Sequence, residues 1–142
     1  MKCNQLPISK RLTKLEFILD GLRYNSVELI KLMKEVVETN FSIGQVVKHK
    51  FLDFRGVIFD VDPEFNNTEE WYQSIPSQIR PSKDQPFYHV FAENDDVFYT
   101  AYVSQQNLLI DESNEPVAHP DVTANFGPFN GKVYEILQGA RN

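Results

Sequence analysis

The chain has 142 residues and a net charge of −6, and its content of 42% hydrophobic and 24% charged residues is that of a globular protein with one core. The single cysteine, Cys3, has no second thiol with which to form a disulfide or a thiolate metal site, which favours a reducing compartment. No apolar run approaches the roughly 20 residues of a membrane span, and residues 1–20 lack the apolar core of a signal peptide. These features predict a soluble cytoplasmic protein that does not insert into a membrane.

The charge is distributed unevenly along the chain. Residues 1–40 contain seven basic and five acidic residues, whereas residues 41–142 contain seven basic and fifteen acidic residues. Binding to DNA depends largely on Lys and Arg side chains that displace counterions from phosphates. The charge of residues 41–142 therefore disfavours DNA as a partner.

Residues 8–38 predict a helical hairpin within an N-terminal extension of residues 1–40. Ser9 and Asn25 are cap candidates, and apolar residues follow each of them at helical spacing. These apolar residues are Leu12, Leu15, Ile18, Leu19 and Leu22 in the first helix and Leu29, Leu32, Met33, Val36 and Val37 in the second. Two interpretations remain open, because the apolar faces can pack on the following domain or can dock a partner or a second protomer.

Residues 43–63 predict two strands joined by a turn. The stretch is rich in β-branched and aromatic residues, and Gly56 interrupts the second strand where a bend or a close approach of two backbones is needed. Alternation along this strand places Val57, Phe59 and Val61 on one face, which we predict to face the core.

Residues 64–86 depart from the strand pattern for 23 residues, which is long for a simple connection. Asn67 and Thr68, followed by two acidic residues, predict one short helix, and three later prolines prevent further regular structure. The apolar side chains of this insertion are Trp71, Tyr72, Ile75 and Ile79. They either attach the insertion to the sheet or form an aromatic surface that binds a partner.

The remainder of the chain predicts three more strands. Residues 87–91 and 97–103 form a hairpin around a polar turn, and residues 107–110 form a short fifth strand. Five antiparallel strands are what a small barrel requires. From Asp111 onward, prolines and glycines predict an irregular tail, with residues 133–137 as one last element of undetermined type.

No pattern of chemically active residues predicts an enzyme, a cofactor or a metal site. The three histidines have no spacing of recognised metal ligands, and the acids Asp60, Asp62 and Glu64 have no nucleophile or phosphate-binding loop beside them. We predict that His89 is largely buried with its ring hydrogen-bonded, that His119 lies in a turn, and that His49 is the most exposed histidine.

A small basic patch is predicted at one end of the barrel. Lys48 and Lys50 alternate onto one face, and Arg55 lies across the same turn. The candidate DNA contacts are Lys48, His49, Lys50, Arg55 and Lys83. So few cations give weak binding that depends steeply on salt.

Several separated blocks occur in one order along the chain: GQVVKH (44–49), RGVIFDVDP (55–63), DQPFYH (84–89), YVSQQNL (102–108) and HP (119–120). Together they resemble the YccV-like domain, and within that family they resemble the heat-shock group HspQ in its alphaproteobacterial form. The resemblance covers residues 41–126, so it divides the chain into an N-terminal extension (1–40), a domain with an inserted loop (64–86), and a C-terminal tail (127–142).

The resemblance implies a mainly β fold, an SH3-like barrel, and two functions. In this family, members bind hemimethylated DNA or adjust proteolysis by the Lon protease, and they form homo-oligomers. The first hypothesis is a non-enzymatic, stress-related specificity factor that binds a Lon-type protease and its substrates. The alternative is direct binding of hemimethylated DNA through the basic patch.

Overall fold

The computed structural model describes residues 26–27 and 38–137. Ser26 and Val27 are helical, and the rest of the predicted N-terminal hairpin lies outside the described residues, as do residues 138–142. Within the described part of the chain, no helix is both long enough and apolar enough to cross a membrane.

Five antiparallel strands form the main sheet, as the sequence predicted. They are β1 (Val46–His49), β2 (Arg55–Asp62), β3 (Phe87–Glu93), β4 (Phe98–Ser104) and β5 (Leu108–Ile110). Their order across the sheet is β4-β3-β2-β1-β5, so β4 and β5 are its two edges.

The sheet that corresponds to the predicted small barrel is not closed, because β4 and β5 do not pair in the described structure. Only the 3₁₀ turn Gln105–Asn107 connects them, and the four residue steps from Ser104 to Leu108 span at most about 14 Å. Four interstrand spacings across a flat sheet would measure about 19 Å. The sheet is therefore curled, but three residues of β5 that already pair with β1 do not close it.

A bulge in β2 changes which residues face the core. On one side of the bulge Val57 pairs with Phe91, and on the other side Val61 pairs with Tyr88. Directly opposed residues share a face, and Phe91 and Tyr88 are an odd number of residues apart in β3, so Val57 and Val61 lie on opposite faces. The predicted shared core face was therefore wrong. Ile58 is also fully buried, because the sheet is covered on both sides.

Gly56 makes a close backbone approach, which is one of the two alternatives that the sequence left open. It pairs with Ala92 in β3, and a Cβ atom placed on Gly56 would lie 2.2 Å from the carbonyl oxygen of Phe91. No side chain fits there, which explains a glycine in the middle of the β1-β2-β3 sheet.

The insertion and the C-terminal part add short elements. Helix α1 is Glu69–Ser74, helix α2 is Pro120–Asn125, and strands β6 (Phe126–Phe129) and β7 (Tyr134–Ile136) form a hairpin. The prediction of an irregular segment after Asp111 was wrong for these residues, and the undetermined last element is a strand.

The C-terminal segment is ordered because it completes the core. Val117, Val122, Phe126 and Tyr134 are buried in the same apolar cluster as the central strands. The cluster also contains Val46, Val47, Phe54, Val57, Ile58, Tyr88, Val90, Phe91, Ala92, Val103 and Leu108. The glycine and prolines of this segment are compatible with a two-stranded hairpin, since prolines are tolerated in edge strands.

Candidate binding surfaces

Arg55, the first residue of β2, clamps two parts of the chain together. Its two terminal nitrogens donate to Glu93 Oε1 at 2.8 Å and to Asp111 Oδ2 at 2.9 Å. They also donate to the carbonyl oxygens of Glu115 at 2.6 Å and Pro116 at 3.0 Å. The guanidinium predicted to contact phosphate therefore has protein acceptors on both terminal nitrogens.

The electrostatics of this clamp favour the ionised pair. Burial lowers the pKa of Arg55, but hydrogen bonds and charge from Asp111 and Glu93 outweigh it and raise the pKa overall. Burial would raise the pKa of Asp111, but hydrogen bonds from Arg55 and Ser113 lower it overall. The charges therefore hold residues 111–116 against the end of the sheet.

Lys48 and Lys50 flank this clamp and are exposed. Lys48 lies directly opposite Arg55 in the β1-β2 register, which confirms that they share a face. Beside Lys48 is a cavity of about 440 Å³, and the carboxylates among its lining residues are Asp53, Glu93, Asp95 and Asp111. The patch predicted to be basic is therefore a surface of mixed charge.

His49 organises the turn after β1. Its Nδ1 accepts hydrogen bonds from the backbone N–H groups of Phe51 at 3.0 Å and Leu52 at 2.9 Å. Burial lowers the pKa of His49, which keeps the ring neutral and able to accept. Phe51 and Leu52 themselves are 63% and 52% exposed.

The insertion of residues 64–86 packs on the sheet through aromatic rings. Thr68 caps α1 by accepting from the Trp71 N–H at 3.1 Å, which confirms the predicted short helix. The Phe65 ring centre lies 5.3 Å from those of Tyr72 and Phe87 and 5.9 Å from that of Trp71. This ring is the contact between the insertion and β3.

Lys83 belongs to this insertion and not to the β1-β2 turn. Its ammonium pairs with the Glu69 carboxylate and lies 4.5 Å from the ring centre of Tyr72 and 5.4 Å from that of Phe65. Hydrogen bonds from Lys83 and Gln73 lower the pKa of Glu69. The five predicted DNA contacts are thus divided between two regions.

The four predicted partner-binding residues, Trp71, Tyr72, Ile75 and Ile79, are all half-buried. The Tyr72 hydroxyl donates to the Pro81 carbonyl at 2.6 Å, and the Ile79 carbonyl accepts from Asn107 Nδ2 at 3.3 Å. Trp71 and Ile79 attach the insertion to the rest of the domain through Tyr102 and Asn107, whereas the bond from Tyr72 to Pro81 lies within the insertion. Part of each of the four side chains stays open to solvent.

Sequence reasoning missed a polar group in which Tyr102 is central. The Tyr102 hydroxyl donates to Asp62 Oδ2 at 2.8 Å and accepts from the Asn66 N–H at 2.9 Å. His89 Nε2 lies 3.1 Å from the same Asp62 oxygen. Burial and the bond to Asp62 raise the pKa of Tyr102. The sequence feature that would have predicted this polar group is the pairing of Tyr102 with His89, and this pairing is known only from the strand register.

The histidines differ from the predicted pattern. His89 is half-buried with its side chain 31% exposed, whereas His119 is only 4% exposed. His119 caps α2, because its Nδ1 accepts from the Asp121 N–H at 3.0 Å. Within residues 26–27 and 38–137, no group of three His, Cys, Asp or Glu side chains could hold a metal ion.

Residues 39–133, which include all of these surfaces, match the model of a protein family described as hemimethylated DNA-binding protein YccV like. The chain belongs to the YccV-like family. The family match includes α2 and β6 as well as the five-stranded sheet.

Curated relatives are also similar over 95 residues. The chain is 35% identical to F-box only protein 21 of Mus musculus and 34% identical to the proteins of that name from Homo sapiens and Pongo abelii. Each alignment covers 66% of this chain but 15% of the relative. The chain therefore matches a small part of these longer proteins.

The region matched by the family model is strongly acidic, with six basic and fourteen acidic residues. Three of the six cations have bonds to other groups of the same chain: Arg55 in the clamp, Lys83 with Glu69, and Arg80 with the carbonyl oxygens of Gln73 and Ile75. The other three cations are Lys48, Lys50 and Lys132, and all three are exposed.

Proposed function

We propose that this YccV-like protein belongs to the heat-shock group and acts as a non-enzymatic, stress-related specificity factor in the cytoplasm. Its partners are a Lon-type protease and the polypeptide substrates of that protease. The observation that carries this proposal is the charge of the matched region, whose fourteen acidic residues outnumber six basic ones. Polypeptides, unlike duplex DNA, do not present a continuous row of phosphates to this acidic surface.

The half-buried aromatic residues of the insertion support a polypeptide partner. Tyr and Trp are enriched among residues that carry binding energy in protein interfaces, since they have large contact areas and few rotatable bonds. Trp71 and Tyr72 are both partly open to solvent, and the Trp71 ring centre lies 5.3 Å from that of Tyr102 on the sheet.

The proposal is tested by Lon turnover. The degradation rate of a fluorescent unfolded substrate is measured with a Lon protease at increasing concentrations of the full chain. We expect a saturable change in rate that Trp71→Ala weakens and that Lys132→Ala, at the far β6-β7 turn, leaves unchanged. An unchanged degradation rate, together with no complex between the chain and the protease by sedimentation, would contradict the proposal.

A second candidate function is the direct binding of hemimethylated DNA. It is supported by the description of the family model and by the exposed pair Lys48 and Lys50 next to the β1-β2 turn. Two phosphate contacts give a slope of about −2 in a plot of log affinity against log salt concentration, so the affinity is weak at physiological salt.

Fluorescence anisotropy separates the two functions. Labelled hemimethylated, fully methylated and unmethylated duplexes are titrated at two salt concentrations with the wild type and with the Lys48→Ala/Lys50→Ala double variant. Lys132→Ala, which removes an exposed lysine from the β6-β7 turn, is the control. The DNA function requires a preference for the hemimethylated duplex that the double variant removes and the control retains. Equal binding of all three duplexes, or none at low salt, removes this candidate.

A further inference from the structure

The edge strand β4 lacks the usual protection of a sheet edge. Its sequence, FYTAYVS, is seven residues long and contains no charged residue and no proline. Sheet edges are normally protected by charge, proline, a bulge or a short length, because an open edge pairs with other chains. The opposite edge, β5, has only three residues.

Two backbone hydrogen bonds show which groups of β4 face outward. Asn94 N–H donates to the Val97 carbonyl at 3.1 Å, and Gln105 N–H donates to the Pro86 carbonyl at 2.8 Å. Hydrogen-bonded positions alternate in an antiparallel ladder, so positions 97, 99, 101, 103 and 105 direct their backbone groups toward β3. The backbone groups of residues 98, 100 and 102 point away from the sheet, whereas Ser104 is 2% exposed and caps the 3₁₀ turn Gln105–Asn107. In the part of the chain that the structure describes, none of these outward groups has a hydrogen-bond partner.

The side chains along this edge provide contacts at both ends. Phe98 is 49% exposed and Thr100 is exposed. The ring centres of Tyr102 and Trp71 lie 5.3 Å apart. The turn before β4 contains Asp95 and Asp96, which are both exposed. A strand laid along β4 would therefore meet carboxylates at one end and aromatic rings at the other.

We propose that the outer edge of β4 binds an extended segment of a partner polypeptide by strand addition. This inference rests on the proposed function, because it names the site at which a polypeptide is recognised. Antiparallel pairing is the more stable arrangement and places the C-terminal end of the segment beside Asp95 and Asp96. The segment thus carries basic residues at its C-terminal end and an apolar residue near Tyr102 and Trp71.

A second copy of the chain is a less suitable occupant than a basic segment. Pairing β4 with itself would bring together two regions that each have fourteen acidic and six basic residues. A basic segment instead gains from the acidic turn.

The test uses an acetylated probe peptide, Val-Thr-Val-Thr-Val-Lys-Lys, and the full chain. Trp71 is the only tryptophan, so its fluorescence reports occupancy at the Tyr102 end. We expect a saturable change in Trp71 emission and slower amide exchange at Thr100 and Tyr102. A peptide with both lysines at the N-terminal end should bind more weakly than the probe.

The matched variants are Thr100→Pro and Thr100→Val. Proline removes the outward N–H but no bond to β3, whereas valine keeps the N–H and the β-branched shape. Thr100→Pro should weaken probe binding about five-fold, since a lost hydrogen bond is worth about 1 kcal/mol, and Thr100→Val should leave probe binding unchanged. Urea unfolding of both variants is the control for an intact sheet, and both should unfold at a urea midpoint close to that of the wild type.

Three outcomes overturn the inference. The first is equal probe binding by Thr100→Pro and the wild type, and the second is no probe binding up to millimolar concentration. The third is self-association of the wild type that Thr100→Pro abolishes, because the occupant of the edge would then be a second copy of the chain. The Lon assay separates this inference from the proposed function. If Thr100→Pro changes Lon turnover as the wild type does, the β4 site is wrong and the function stands. If the wild type binds the probe but does not affect Lon turnover, the β4 site stands and the protease link is wrong.

Discussion

The Arg55 clamp and the Tyr102 group lie on the same face of the sheet but differ in what they leave available. Arg55 is opposite Glu93 and Tyr102 is opposite His89, and each side chain bonds a segment outside the sheet. At Arg55 the bonds enclose the guanidinium, whose side chain is 22% exposed. At Tyr102 the neighbouring Trp71 is half-buried, and the outward backbone groups of β4 are unpaired in the described structure. Charge in a sequence therefore does not indicate a binding surface unless its intramolecular partners are known.

The largest effect we expect is at the clamp. Arg55→Ala leaves Glu93 and Asp111 without their cation and releases the segment of residues 111–116, so the free energy of unfolding should fall by about 3 kcal/mol. Urea denaturation measures it, with Lys50→Ala as a control that should change by less than about 0.5 kcal/mol. A loss below about 1 kcal/mol together with lost duplex binding would instead make Arg55 a ligand contact.

The acid partner of the clamp gives a dependence on pH. The pKa of Asp111 is lowered in the folded protein, so its stabilisation is present above the ordinary carboxyl pKa of about 3.9 and is lost as the pH falls through the folded value. Asp111→Asn should lower stability by about 1.5 kcal/mol near neutral pH. Thermal melts of the two proteins should converge as the pH falls below the lowered pKa of Asp111. A difference that is constant with pH would show that the Asp111 charge does not contribute.

A smaller loss is expected at the Tyr102 group. Tyr102→Phe removes the hydroxyl bonds to Asp62 and Asn66 while keeping the ring contacts, which should cost about 1 kcal/mol in urea unfolding. Tyr99→Phe is the matched control, since no hydrogen bond of the Tyr99 hydroxyl occurs among residues 26–27 and 38–137, and it should be near neutral. Equal losses of unfolding free energy in the two variants would mean that the loss comes from burial of the hydroxyl and not from its bonds to Asp62 and Asn66.

The smallest effect is expected at Lys83. Its pair with Glu69 is exposed to solvent, and such pairs contribute little to stability. Lys83→Ala should leave the urea midpoint unchanged within error, in contrast to Arg55→Ala. A clear decrease would show that the contacts of Lys83 with Tyr72 and Phe65 hold the insertion on the sheet.

Much of the sheet was predictable because the signals for it are local. The β3-β4 hairpin, the helix capped by Thr68, and the close approach at Gly56 each depend on residue types within a few positions. The shared face of Lys48 and Arg55 followed from alternation across one turn. The candidate site was less predictable, because the acceptors of Arg55 lie 38 to 61 residues further along the chain.

The sequence by itself determined the family, the acidic charge and the strands, since these depend on composition, ordered blocks and alternation. Only the tertiary structure decided which charges remain available, how the β2 bulge divides Val57 from Val61, and that the segment after Asp111 completes the core. It also decided that the uncharged strand β4 is an edge. Each of these depends on contacts between residues distant in the sequence, and local residue patterns do not determine such contacts.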